Sequence, residues 1–263
     1  MQFQPDNLSD ISRKMDAIKV RSAGGFFTNY FHQPMVGHQL LSAQTDHSLL
    51  FLNDEFDFYR LFYFTNDLAD LGGALKDLEF SETTVASYLD TSLDERIPAR
   101  FLESGFEQIA TYQRMINNSL PIYRTNRALR FAEAGDVEEL YQGLFTVFNK
   151  YTDRLPTKDL LANFIAQQQV LVNRNQDGIL GCIIFQIQRK RVNASHLYNH
   201  SDNNLDTLML LSNFYGLMHE RGIRSGFLWV NSTNVNVSKM QRNFGWIFDG
   251  VRDRCYLKRG VKR

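Results

Sequence analysis

Two hydrophobic periods alternate along the chain. Leu8, Ile11, Met15 and Ile18 recur at helical spacing and predict an amphipathic helix near the start. Two strand-like runs follow, SLLFLN and FDFYRLFYF; the phenylalanines of the second fall on both strand faces, which predicts a strand buried on two sides or one at an interface between two halves. A short helix over residues 67–78, a strand at TVASYLD, a helix capped by Ser92 and Glu95, and a strand at EQIATYQRMI complete the first part. The polar stretch 117–127 carries Pro121 and reads as a boundary, so two parts are expected, 1–120 and 126–263.

The second part repeats the theme at greater length. LRFAEA reads as a strand, and Asp136 with Glu139 as a helix cap and its partner. Val137, Leu140, Tyr141, Leu144 and Phe148 then mark one helical face, and a second helix is expected over 157–168. VLV and ILGCIIFQIQ, joined through Asp177-Gly178, predict an antiparallel hairpin. After the basic turn Arg189-Lys190-Arg191, a strand at NASHLYNH leads into an apolar helix over 203–221, stopped by Gly222, with Ser201 or Asp202 as its cap. The strand GFLWVN, a short helix with Val237, Met240 and Phe244 inward, and two strands, WIFDG and RCYLK, close the chain.

Laid over each other, the two parts keep the order strand, helix, strand, helix, glycine, aromatic strand: RFLESGFEQIATYQRM in the first echoes KMQRNFGWIFDG in the second. This is the pattern of an internal duplication.

Composition narrows the classes. Of 263 residues 43% are hydrophobic, which fits a globular α/β chain. Lys plus Arg equals Asp plus Glu at 29 each, so no overall basic field draws in nucleic acid or an anionic membrane, and neither partner is expected. No run of about 18 apolar residues occurs and the start lacks a leader pattern, so a soluble, cytoplasmic protein is expected. Cys182 and Cys255 lie far apart with no CxxC spacing; two buried thiols are expected, and no metal site.

The order strand, two helices, three antiparallel strands, helix, strand, helix, strand pair resembles the GCN5-related N-acetyltransferase (GNAT) superfamily. In the tail motif of that family Asn234, Val237, Met240, Gly245 and Trp246 stand at the characteristic positions. The likeness covers residues 129–258 well and 48–115 loosely. It implies two GNAT-like domains, each a mixed, mostly antiparallel sheet flanked by helices, the first degenerate. It further implies acyl transfer from acetyl-CoA, another acyl-CoA or an acyl-phosphopantetheine to a small-molecule or peptide amine, with an acyl carrier protein as a conceivable partner. The donor would touch Asn199, Asn203, Asn204, Leu205, Asn234 and Gln241.

Two departures stand against the family pattern. Where a glycine-rich pyrophosphate loop is expected the chain reads DNNLDT, without glycine and with Asp202. Where the family has a tyrosine acid this chain has Gln241, an amide that holds its protons, and the first part has Phe101. Replacement groups are His196, Tyr198 and His200, which alternate onto one strand face. They are the candidate catalytic residues, or else ordinary half-buried strand residues. The alternative to an enzyme is a catalytically inactive GNAT-fold binding or scaffolding module.

Overall fold

The computed structural model describes residues 2–22, 25–31, 39–78, 80–91, 94–125, 130–201 and 203–260. Ser92, Asp202, the first residue of LRFAEA and the Asn204 side chain lie outside what it describes. The chain forms two compact units, one of Met1–Thr111 with Val251–Arg263 and one of Tyr112–Gly250. Division along the sequence and division in space therefore differ, because each unit takes one strand from beyond the expected boundary.

Unit 1 contains, in chain order, β1 (Gln4–Asp6), α1 (Leu8–Val20), β2 (Phe27–Thr28), β3 (Leu40–Gln44), β4 (Ser48–Glu55), β5 (Phe58–Thr65), α2 (Leu68–Lys76), β6 (Thr83–Asp90) and α3 (Arg96–Glu103). Next comes β7 (Glu107–Asn117), whose residues from Tyr112 onward belong to unit 2. Unit 2 continues with α4 (Val137–Val147), α5 (Lys158–Ala166), β8 (Val170–Asn175), β9 (Gly178–Gln188), β10 (Arg191–Asn199), α6 (Asn204–Glu220), β11 (Ser225–Asn231) and α7 (Val235–Asn243). The chain ends in β12 (Ile247–Lys258), whose residues from Val251 onward return to unit 1.

The sheet of unit 1 runs β1-β3-β4-β5-β6-β12, with β2 alongside β5; that of unit 2 runs β7-β11-β10-β9-β8. Both are mixed and mostly antiparallel, with one parallel pair each, β5 with β6 and β10 with β11. In unit 1 α1 covers one face through Ile11, Met15 and Ile18 against Leu49, Phe51, Phe62 and Phe64. On the other face α2 and α3 pack on Leu50, Leu52, Leu61 and Tyr63. As predicted, β5 is buried on both sides. In unit 2 α6 and the aromatic Trp246 lie over Phe185, Val192, Leu228 and Val230. Across the sheet α4 and α5 cover Val170, Cys182, Ile184 and Tyr198. Both cysteines are buried thiols outside any disulfide. Among the described residues no helix is long and apolar enough to cross a membrane.

The echo seen in the sequence is one capping motif used twice. After α7, Gly245 adopts φ +84°, its N–H bonds Arg242 O at 2.9 Å and the Trp246 N–H reaches back to Gln241 O at 3.2 Å. After α3, Gly105 at φ +82° bonds Leu102 O at 3.1 Å and Phe106 bonds Phe101 O at 3.1 Å. In both, a left-handed residue closes the helix and the aromatic that follows is buried, the Schellman arrangement. Phe101 and Gln241 hold the same place in it, so the sequence alignment of these two residues carries over to space.

Three expectations are corrected. WIFDG and RCYLK are one strand, β12; Gly250 at φ +94° lies within it and no turn intervenes. LRFAEA contributes only a short ladder around Phe131, where Ala132 and Val172 N–H groups bond Val170 O and Arg130 O. Asp136 pairs with Glu133 in a 3-10 turn ahead of α4, while the Glu139 carboxylate accepts from the Ile179 N–H.

Candidate functional site

In unit 2 the parallel strands β10 and β11 pair over only four residues, from Arg191↔Ser225 to Ala194↔Leu228. A register shift between Ala194 and His196 marks a bulge, and beyond it β10 stays bonded to β9 while β11 stays bonded to β7. The bulge increases the twist of its strand and turns its end aside. Beyond Ala194 and Leu228 the facing edges of β10 and β11 are thus parted, and among the described residues no segment pairs into the opening.

Unit 1 has the same geometry with a different outcome. Strands β5 and β6 pair from Phe58↔Thr83 to Leu61↔Ala86 and then part. Here β2 enters, pairing Phe27 with Thr65 and Thr28 with Phe64. Buried Asn29 follows: its amide nitrogen donates to Leu61 O at 3.1 Å and to Ser87 O at 3.0 Å, and its oxygen accepts from Tyr63 N–H at 2.9 Å. One side chain therefore stitches both parted strands. Tyr30 seals the place edge-on against Phe51 and Phe62.

The three candidate catalytic residues share the face of β10 toward α4 and α5, and their surroundings separate them. Tyr198 is buried against the α4 layer, and a Cβ at Gly143 would come within 2.5 Å of its hydroxyl, so α4 needs a glycine there. Burial raises the phenol far above its ordinary range and pushes the neighbouring Cys182 thiol up to about 12. Both stay neutral and serve packing. His200, at the outer end of the strand, is exposed, with its ring 4.9 Å from that of Tyr198.

His196 is different. Its ring is buried, edge-on to Phe148 at 5.2 Å, and its Nε2 lies 3.0 Å from the carbonyl oxygen of Asp153. A carbonyl only accepts, so Nε2 carries the hydrogen and Nδ1 keeps its lone pair. That Nδ1 is shielded from solvent and has no hydrogen-bond partner. Burial lowers the affinity of the ring for a second proton below its ordinary level, against a smaller opposing effect of the Asp153 carbonyl. The pattern places a neutral imidazole on β10 just past the point of parting.

Two residues around it escaped the sequence reading. The Tyr112 hydroxyl, on β7, donates to Asp153 Oδ1 at 2.7 Å and lies 2.8 Å from Thr152 Oγ1. The Asn149 N–H bonds Asp153 Oδ2 at 2.8 Å. Since β11 lies between β7 and β10, the loop carrying Thr152 and Asp153 ties side chains from both neighbours of β11. The sequence signal was present only as an aspartate and a threonine between two helices, a composition typical of any loop.

The expected donor contacts are mostly committed elsewhere. Asn203, rather than Ser201, caps α6 by accepting the Leu205 N–H at 3.0 Å. Asn199 donates to Thr207 Oγ1 at 2.8 Å and accepts the Ser201 N–H at 3.1 Å. The Ser201 hydroxyl donates to the Asp206 carboxylate and accepts the Asn203 N–H at 3.1 Å, while the Asp206 N–H bonds Asn203 O at 3.0 Å. Asn234 caps α7 through the Val237 N–H at 3.1 Å. Gln241 is buried and its amide oxygen has no partner. Leu205 is 62% exposed. The residues at this end of α6 do not fit a pyrophosphate: the amides of Ser201, Asn203, Leu205 and Asp206 are taken and a carboxylate stands in the first turn. A cavity of about 660 Å³ in unit 2, lined by Phe131, Val137, Ile165 and Arg174 among others, shares no residue with this region. Among the described residues no cluster of metal-ligating side chains occurs.

No family model and no curated relative matches the sequence. Solved structures do match over nearly the whole length. A GCN5-related N-acetyltransferase from Sphaerobacter thermophilus superposes with a TM-score of 0.61 at 11% identity, over 100% of this chain and 97% of that one. An acetyltransferase of the GNAT family from Colwellia psychrerythraea gives 0.56 at 10% identity, over 99% and 100%. A tandem GNAT protein from the clavulanic acid biosynthesis pathway gives 0.56 at 12% identity, over 98% of each chain. Resemblance at this level of identity speaks to architecture: this chain has the GNAT fold, in two GNAT-like units.

Proposed function

We propose that this protein is an N-acyltransferase whose single acyl-donor site is the opening between β10 and β11 in unit 2. The carrying observation is the early end of their pairing at Ala194↔Leu228, with no described segment stitched into the gap. Parted strand edges present backbone N–H and C=O groups to an extended chain of amides, which is the chemistry of a pantetheine arm. In unit 1 that position is filled by Asn29, which supports one site per chain.

Acyl transfer from a thioester to an amine forms a C–N bond, breaks a C–S bond and requires the amine to lose a proton. Positioning supplies most of the acceleration in such a site. His196 is the base: its neutral Nδ1 takes the proton, and Asp153 O holds the tautomer that makes this lone pair available. This assignment requires the loop 149–154, which bonds the ring, to admit the acceptor amine. His200, exposed at the strand end, is the competing base, and the two are separated by substitution. The Gln241 carboxamide, whose oxygen has no partner, offers no proton to the leaving thiolate, which then takes one from water.

The test is calorimetric titration with acetyl and longer acyl thioesters, followed by thiol release with a panel of amines. One bound donor per chain and amine-dependent thiol release are expected. Heat without thiol release from any amine would establish the alternative, a GNAT-fold binding module; no heat from any donor would overturn the donor site.

A further inference from the structure

We infer that unit 2 recognises the pantetheine arm of its donor alone, and that the pyrophosphate and nucleotide of a coenzyme A thioester add nothing to recognition. This rests on the reading of β10 and β11 as the donor site and concerns what the far end of that donor meets.

The far end meets a segment in which four backbone amides are already committed. Between the end of β10 and the first turns of α6, the amides of Ser201, Asn203, Leu205 and Asp206 already donate to Asn199 Oδ1, Ser201 Oγ, Asn203 Oδ1 and Asn203 O. A phosphate cradle is built from such amides when they are free. The side chains are equally committed, Asn199 to Thr207 and Ser201 to Asp206. Asp206 is the charged group of the first helical turn, where it stabilises the helix and repels an anion from the same place. The outward surface of the next turn is apolar, with Leu208 46% and Met209 39% exposed beside Leu205. A surface that held a polyphosphate would carry arginine or lysine here. The two halves of a coenzyme A thioester therefore meet opposite receptions: parted strand edges for the two amides, and a self-satisfied, negatively charged helix end for the phosphates.

The ligand class is a pantetheine thioester, and its source is either a free thioester or phosphopantetheine held on a carrier protein. The experiment compares acyl-CoA, acyl-pantetheine and the same acyl group on a phosphopantetheinylated carrier, together with unreactive thioether analogues of the first two in calorimetry. Each charge-assisted bond to a pyrophosphate would favour CoA by roughly tenfold or more. The inference expects thioether dissociation constants for CoA and pantetheine within about threefold of each other, and kcat/KM values that follow them. Asp206→Asn is expected to strengthen CoA binding several-fold, roughly as removal of one nearby like charge allows, and to leave pantetheine unchanged. A carrier-bound donor used best of all supports the inference and assigns the source to a protein; equal use of the two small thioesters with no carrier preference supports it and assigns the source to the free pool. CoA bound or used more than about thirtyfold better than pantetheine overturns the inference and leaves the donor site standing. Failure of both thioethers to bind overturns the donor site itself.

Discussion

Units 1 and 2 are built on one plan and differ at the point where the plan leaves a hole. In each, a parallel pair holds for four residues and parts. In unit 1 the residue beyond the last pair is Phe62, stacked on Phe51 at 5.1 Å and covered by Tyr30. In unit 2, allowing for the bulge, it is His196 with a free lone pair. In unit 1 the strand edges are satisfied by Asn29 and β2; in unit 2 no described segment does so. The contrast teaches that a parted strand pair is a backbone liability that a chain must resolve from within or leave to a ligand, since buried N–H and C=O groups do not stay unpaired without cost.

The comparison breaks first at His196. The variant His196→Gln retains a donor for Asp153 O and lacks a base, so kcat should fall by about a hundredfold or more, while Phe62→Leu in unit 1 leaves kcat unchanged. If His200→Ala instead takes the loss, the base is reassigned to the strand end. Asn29→Ala comes next in size. It removes the bonds to Leu61 O, Ser87 O and the Tyr63 N–H, so denaturant unfolding should show a loss of about 3 kcal/mol, with the chemistry of unit 2 intact. Acyl donor binding that rises to two per chain in this variant would show that Asn29 alone keeps unit 1 closed.

A smaller effect is carried by pH. The folded His196 resists protonation, whereas in the unfolded chain it takes up a proton near its reference value of about 6.5. The unfolded state then binds more protons as pH falls below that value, so stability drops on the acid side and this contribution is level above it. His196→Gln should flatten that limb of a pH-stability curve. Tyr198→Phe removes a hydroxyl wedged at Gly143 and is expected to change stability by about 1 kcal/mol or less, with kcat unaltered. Smallest is the stability effect of His200→Ala, within about 0.5 kcal/mol for an exposed residue.

Much of the fold was legible because it rests on local rules. The helical spacing of α1, the glycine stop of α6 and the two-residue turn between β8 and β9 are each encoded within a few residues. The echo of FLESGF and QRNFGW was legible for the same reason, as a capping motif of six residues. Periodicity, however, assigns a face and not a partner. Nothing in EQIATYQRMI or RCYLK says that Tyr112–Asn117 would pair with β11, or that Arg252–Lys258 would pair with β6. Gly250 in WIFDG reads as a turn because isolated glycines usually punctuate, and here it serves a strand that runs straight on. The candidate site was half legible. Two-residue alternation placed His196, Tyr198 and His200 on one face, but burial, which only the packed layer decides, turned Tyr198 into core and left His200 outside. Asn29 could not be found at all: a lone asparagine immediately after a two-residue strand carries no local signature, and its importance comes from carbonyls 32 and 58 residues away.

The last strand has a consequence for how the molecule comes into being. Arg254 binds Asp90 and Glu95, each at 2.7 Å, and Tyr256 stacks on Phe101 at 4.9 Å, so residues 251–258 are the closing edge of a unit that begins at residue 1. During synthesis unit 1 must wait for a strand made after unit 2. Until residues 251–258 have emerged from the ribosome, β6 offers an unpaired edge, the kind of surface that captures other chains. Removal of residues 251–258 should therefore damage unit 1 first, and a nascent chain stalled before residue 251 is the state in which this protein most needs a chaperone.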